Sequence, residues 1–363
     1  MQDTHIKTLV IRFSSVGDIV LSSPLVRALR YRFPQMQLDF LVKERYADLV
    51  RYSPHLSNVI AFPRSGGIVE LLKLRREIRL RHYGTILDIH GSLRSRLLTF
   101  GLAGVRRVKK RIIARTILIH FKRDVYSWFG GAPGIARRYM ETAASEGLTD
   151  ERETVELFVP PAVQESADAL LSRSGINSTG GAIGVCPSAR HFTKIWPEDR
   201  FAAAASALAQ RWELPVLLFG SGEDATRSRR IASNIREISP DVQVVDLSGI
   251  CSLLETAALM DRCRIVLTND SGLMHIATAR ARPVVAIFGS TVRQLGFFPT
   301  GTMQRVVEHP NLPCRPCTHI GRDRCPRGHF RCMLDLTPQN VLHAANELLN
   351  GEQPPIQAST SIR

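Results

Sequence analysis

TLVIRFSSVGDIVLSSPLVRALRYRF, residues 8–33, holds the pattern that decides the fold. A β-rich apolar run over 8–13 gives way to Ser14, Ser15 and Gly17, and an amphipathic pattern runs from 19 to 33. Strand, polar turn and helix in that order predict the opening of a βαβ unit. At the junction stands one carboxylate, Asp18, followed at once by Ile19, Val20 and Leu21. An acid in the first turn of a helix gains roughly 0.3–1 kcal/mol from the macrodipole, which alone would account for it. The alternative is a base at the carboxyl end of a buried strand, beside a glycine that lets another group approach the backbone.

The same rhythm continues. QLDFLV (37–42), NVIAF (58–62) and GTILDIH (84–90) read as strands, and GIVELLKLRREIRL (67–80) as a helix. Residues 159–181 hold a proline pair, a short helical pattern and a Ser/Gly-rich stretch, and read as a connection between domains. Beyond them come AIGVC (182–186), LPVLLFG (214–220), VQVVDL (242–247), CRIVLTND (263–270) and PVVAIFG (283–289), each joined by a helical segment. The chain has 363 residues, and single cores stop growing near ~250–300. The expected fold is therefore α/β: two Rossmann-like, doubly wound parallel-sheet domains over 1–165 and 166–350, facing a central cleft. Ligands of such sheets bind beyond the strand carboxyl ends, where Asp18 and Asp270 both fall. Residues 351–363 are polar and proline-containing, and are expected to be disordered.

Hydrophobic residues make up 44% and charged residues 22%, the balance of an ordinary globular protein. The formal net charge of +15 favours acidic partners, whether nucleic acid, an anionic membrane face or phosphorylated substrates. The cations are scattered and form no recognisable nucleic-acid module, so no specific nucleic-acid partner is expected. No apolar run reaches the ~18–20 residues of a membrane span. Arg12 interrupts the first apolar run too early for a secretory signal. Seven cysteines, an odd number, then predict reduced thiols in a cytoplasmic protein.

Three further stretches carry chemistry. In GVCPSARHFTKIWPEDRF (184–201) a strand ends, a polar loop follows, and WPEDRF reads as a helix start with Pro197 at its first position. Ser188, Arg190, Thr193 and Lys194 in that loop suit a diphosphate, although a solvated basic loop has the same composition. The Walker pattern is absent. In LTNDSGLMHIATARARPVVAIFGST (267–291) a helix beginning near Ser271 offers its amides to an anion. Asp270 or Ser271 as a plain N-cap is the competing account. His275, one turn further on, reads equally as a catalytic or a hydrogen-bonded structural histidine. In CRPCTHIGRDRCPRGHFRCM (314–333), Cys314, Cys317, Cys325 and Cys332 lie close together with His319 and His329 between them. A structural zinc and four unligated thiols are both open readings.

Together these stretches, with LDIHGSLRSRLL (87–98), resemble the ADP-heptose:lipopolysaccharide heptosyltransferases of glycosyltransferase family 9, and heptosyltransferase II more than heptosyltransferase I. The resemblance runs over roughly residues 8–345. It implies a GT-B fold with acceptor bound mainly by the first domain and nucleotide sugar by the second. It also implies an inverting, metal-independent transfer from ADP-L-glycero-β-D-manno-heptose to the growing inner core on lipid A, with no cofactor. Carried over by position, Asp18 matches the general base and Lys194 the diphosphate-binding lysine. Asp270, Ser271 and Gly272 match the segment that contacts sugar and phosphates, and Glu223 falls near the ribose-binding acid. Ser188 and His275 join the same set of substrate contacts. The cations Arg64, Arg75, Arg76, Arg79 and Arg81, with RRVKKR at 106–111, suit Kdo carboxylates, lipid A phosphates and the anionic inner membrane surface. The protein is thus expected on the inner face of the cytoplasmic membrane as a peripheral enzyme. The competing readings are a GT-B enzyme using another nucleotide sugar, or a non-catalytic basic protein that binds nucleic acid or metal.

Overall fold

The computed structural model describes residues 7–148, 154–177, 180–301 and 303–349. The expected tail, 351–363, lies outside the described residues. The chain forms two compact units, Met1–Pro161 with Val292–Gly301, and Ala162–Thr291 with Thr302–Arg363. The return of 292–301 to the first unit has no counterpart in a single boundary at 165/166.

The first unit is built on a five-stranded sheet of β1 (Lys7–Ile11), β2 (Gln37–Lys43), β3 (Asn58–Phe62), β4 (Thr85–Asp88) and β5 (Val105–Arg107). Their order is β3-β2-β1-β4-β5 and every pairing is parallel. Leu9, Ile11, Leu41 and Ile86 bury one face of this sheet with Phe13, Phe62 and helix residues Leu71, Leu74 and Ile78. The near-continuous apolar runs of the central strands follow from burial on both faces.

The second unit carries six strands: β6 (Ala182–Cys186), β7 (Val216–Leu218), β8 (Val244–Asp246), β9 (Cys263–Asn269), β10 (Val284–Phe288) and β11 (Gln304–Glu308). The order is β11-β10-β9-β6-β7-β8, again parallel throughout. Its core gathers Ile183, Val185, Ile265 and Leu267 against Trp196, Phe201, Leu208 and Trp212. The expected interdomain helix is present as Pro161–Arg173, and it docks on the second unit. Arg262 holds Asp168 through two 2.7 Å bonds from Nε and Nη2, the bidentate geometry that makes an arginine pair directional.

Two local expectations change. The helix expected over 19–33 is two helices, Val16–Val20 and Ser23–Arg32. Pro24 accounts for the restart, because its ring is tolerated only in a first turn. Pro197 is the N-cap residue of Glu198–Trp212 and not its first helical residue.

Candidate active site

Each sheet reverses its winding at one place. In the first unit, β1 lies between β2 and β4, and the winding direction changes there; in the second, it changes between β6 and β9. The crevice outside such a switch point is where open α/β sheets bind ligands. The segments after β1, β6 and β9 are the ones that carry Asp18, Lys194 and Asp270.

Asp18 is the third residue of the short helix after β1, and its side chain is 14% exposed. Its Oδ2 accepts three bonds: from Arg12 Nη2 at 2.7 Å, Ser15 Oγ at 2.8 Å and Ser15 N at 3.2 Å. Its Oδ1 accepts one, from Tyr139 Oη at 3.0 Å. The Ser15 contacts make a reciprocal capping box, so the helix-stabilising account of Asp18 holds as far as it goes. It leaves Arg12 and Tyr139 unexplained. Burial opposes ionisation of Asp18, yet Arg12, Ser15 and Tyr139 outweigh it and hold the carboxyl below its ordinary range. Burial pushes the Tyr139 hydroxyl well up against the opposing pull of Arg12, with the Asp18 charge and hydrogen bond adding to the rise, so it stays a donor. Arg12 also donates to Ile89 O at 2.8 Å, tying the ends of β1 and β4 together. Beside them His90, whose ring meets Phe13 edge-on, is pushed down to about 4 by burial and by Arg12, and is neutral at pH 7.

In the second unit, Lys194 Nζ lies 2.7 Å from Asp270 Oδ2, and the two side chains are 15% and 5% exposed. Thr291 Oγ1 donates to the same oxygen at 2.6 Å. Asp270 is therefore not the N-cap. Ser271 takes the N-cap position of the helix Gly272–Ala279, but its side chain makes no capping bond. Ser271 Oγ and Ser188 Oγ are both buried and unsatisfied by protein atoms. Buried hydroxyls left open in this way await a ligand or water. Gly272 opens the helix, and His275 is buried within it at 3% exposure. Glu223 is exposed in the turn after β7, where Asp224 closes the capping box with Ser221.

The loop that carries Lys194 is braced from behind. Asn269 Oδ1 accepts from Trp196 N at 3.1 Å and its Nδ2 donates to Pro187 O at 2.7 Å. Thr193 Oγ1 meets Ser290 Oγ at 2.9 Å and accepts from Arg322 N at 2.8 Å. The cysteine-bearing segment is thus part of the loop's support: Cys317 N donates to Ser290 O at 3.1 Å. Gly321, at φ +106°, is needed there, since a Cβ would stand 2.7 Å from that of His191. The four cysteines form no disulfide. Burial, with the nearby Cys317, pushes Cys332 up to about 12, and Cys314 Sγ lies 3.8 Å from His329 Nε2. Among the described residues no three His, Cys, Asp or Glu side chains are gathered as a metal-holding group.

Residues 71–324 match the family described as glycosyltransferase family 9 (heptosyltransferase). The chain belongs to that family. Lipopolysaccharide heptosyltransferase 2 of Escherichia coli K12 is 29% identical over 362 residues, covering 96% of this chain and 99% of the relative. The Salmonella typhimurium protein of the same name is 28% identical over 359 residues, covering 95% and 99%. Among solved structures, E. coli ADP-heptose LPS heptosyltransferase II superposes with a TM-score of 0.73 at 27% identity, covering 96% of this chain and 99% of that one. A family 9 glycosyltransferase from Veillonella parvula reaches 0.79 at 18% identity, covering 97% and 99%, and speaks for the fold alone. The protein is a glycosyltransferase of the GT-B fold, and the likeness to heptosyltransferase II read from its motifs extends over nearly the whole chain.

Sequence reasoning passed over three residues of the site. Arg12 was legible only as the end of an apolar run, though its place at the mouth of β1 marks it. Thr291 closes a quoted motif. Tyr139 reaches Asp18 across 121 positions, and nothing local to it announces that contact.

Proposed function

We propose that this protein moves heptose from ADP-L-glycero-β-D-manno-heptose to the inner core of lipopolysaccharide, with inversion, at the inner face of the cytoplasmic membrane. The observation that carries the reading is the Lys194–Asp270 pair, with the buried Ser188 and Ser271 hydroxyls, unpaired with protein, in the same two segments after β6 and β9 at the switch point of the second sheet. A leaving diphosphate needs positive charge and donors, and Lys194, the Ser188 and Ser271 hydroxyls and the amides of Gly272–Ala279 supply both. Asp270 would repel a phosphate. Among the described residues both side-chain contacts of Asp270 fall on Oδ2, so Oδ1 is the atom suited to accept from a sugar hydroxyl.

On the acceptor side, Asp18 is assigned as the general base. Being ionised well below neutrality it is a weak base at rest, but an attacking hydroxyl becomes acidic as its bond to the anomeric carbon forms. A carboxylate aimed at that proton then suffices. Glu223 is assigned to the ribose, and the cations of the first unit to acceptor carboxylates and phosphates. No helix among the described residues is long and apolar enough to cross a membrane, and association with the anionic surface is proposed to be peripheral.

The test is a donor screen against a Kdo-containing lipid A acceptor, reading release of nucleoside diphosphate, with and without a chelator. ADP-heptose should be the preferred donor, with the rate unchanged by chelation. Preference for another nucleotide sugar would leave the GT-B enzyme and remove this substrate. No transfer from any donor would remove the reading.

A further inference from the structure

We infer that the first unit docks on an anionic phospholipid surface through the outer face of the helix Ile112–Phe121 and the turn that follows it. This deepens the proposed peripheral association by naming the surface that makes it. Four large apolar side chains stand out from that region: Ile112 is 57% exposed, Ile113 65%, Phe121 70% and Trp128 77%. They are not the frayed edge of a poorly packed segment. The opposite face of the same helix buries Ala114 and Leu118 against Val125, Tyr126 and Leu295 in a small core of its own. Ile112 and Ile113 therefore form an outer set that does not pack, and Phe121 adds to it only where the helix ends.

Charge identifies the occupant. Residues 106–123 contain eight Lys and Arg and no Asp or Glu. Lys109 and Arg123, at either end of the helix, are both exposed. Lys110 donates to Gly91 O at 2.6 Å, which ties this basic run to the turn before Leu93, itself 84% exposed. Apolar side chains flanked by cations on a short surface helix are the pattern of an interfacial element, which buries its apolar face at the headgroup boundary and sets its charges on phosphates. A second copy of this chain, at +15, brings like charge to the same face and is disfavoured.

The experiment is co-sedimentation of the full chain with vesicles of phosphatidylglycerol and phosphatidylcholine in equal parts, and with phosphatidylcholine alone. No sugar acceptor is present, so the outcome does not depend on the transfer reaction. Binding should be strong to the mixed vesicles, weak to the neutral ones, and reduced by salt. Lys109→Glu with Arg123→Glu should weaken it by ~20-fold or more, at about fivefold for each cation. Ile113→Ser with Phe121→Ser should weaken it by at least ~10-fold, with melting and transfer to a detergent-solubilised acceptor preserved. A readout on the unaltered protein guards against misfolded variants: lipid-borne quenchers should extinguish Trp128 and spare the buried Trp196 and Trp212. Equal binding to both vesicles, an unquenched Trp128, or a concentration-dependent dimer broken by the same substitutions would overturn the inference.

Discussion

Asp18 keeps its proton-accepting capacity on one oxygen. Among the described residues three donors crowd Oδ2, while Oδ1 accepts the Tyr139 hydroxyl alone and retains a lone pair for the proposed acceptor hydroxyl. Asp18→Asn should therefore lower kcat by ~10²–10⁴, the scale of a positioned base, with ADP-heptose affinity nearly intact because the donor cradle lies in other residues. Normal turnover in a folded variant would return Asp18 to its capping role. With Asp18 as the proposed base, Tyr139 acts through it as a positioning residue. Tyr139→Phe removes the one bond that Oδ1 accepts among the described residues, so kcat should fall on the order of tenfold with KM little changed. The acid limb of the pH–rate profile should also move to higher pH, since a donor that favours the carboxylate is gone. A lower melting temperature with an unmoved acid limb would make Tyr139 merely structural.

At the scale of elements, the loop from β6 to the helix Glu198–Trp212 carries the proposed donor side. Lys194→Ala should weaken ADP by ~10-fold or more, the loss of one charge-assisted contact, and leave adenosine nearly unaffected. Equal losses for both ligands in calorimetry would mean that Lys194 only shapes the loop. Gly321→Ala asks the converse question, because it touches no ligand and strains the loop from behind through His191. It should lower stability by ~1–3 kcal/mol and weaken both ligands alike. The central strands of both sheets were legible because burial on two faces leaves apolar runs. β5 (VRR) and β11 (QRVVE) were not. Both are edge strands, free to carry charge, and they lack the apolar runs that mark the edge strands β3 and β8, so β5 falls within a basic stretch and β11 draws no strand reading.

Over the whole molecule, sequence rhythm carries two parallel-sheet units and the strand ends where the candidate residues fall, but not the return of Val292–Gly301 to the first unit. That segment has no periodicity. It is held by Leu295 in the small core and by Gly296, whose carbonyl accepts from Ile135 N at 2.9 Å and whose φ is +89°. Contacts between positions so far apart leave no local trace. A property of the assembled first unit that sequence cannot carry is its response to acid. In the unfolded chain His90 takes a proton near its ordinary 6.5, whereas in the fold burial and Arg12 push it down to about 4. Between those values the unfolded state binds more protons, so stability must fall as pH drops from about 6.5 to about 4. His55, lowered chiefly by burial, adds a loss of the same sign. With partial exposure discounted, the His90 share is ~1–3 kcal/mol. Urea midpoints measured across that window should slide downward for the native protein. His90→Asn, which cannot titrate, should flatten the slide while leaving the midpoint near neutrality within ~1 kcal/mol. An unchanged slope in the variant would show that His90 is protonated as readily inside the fold as outside it.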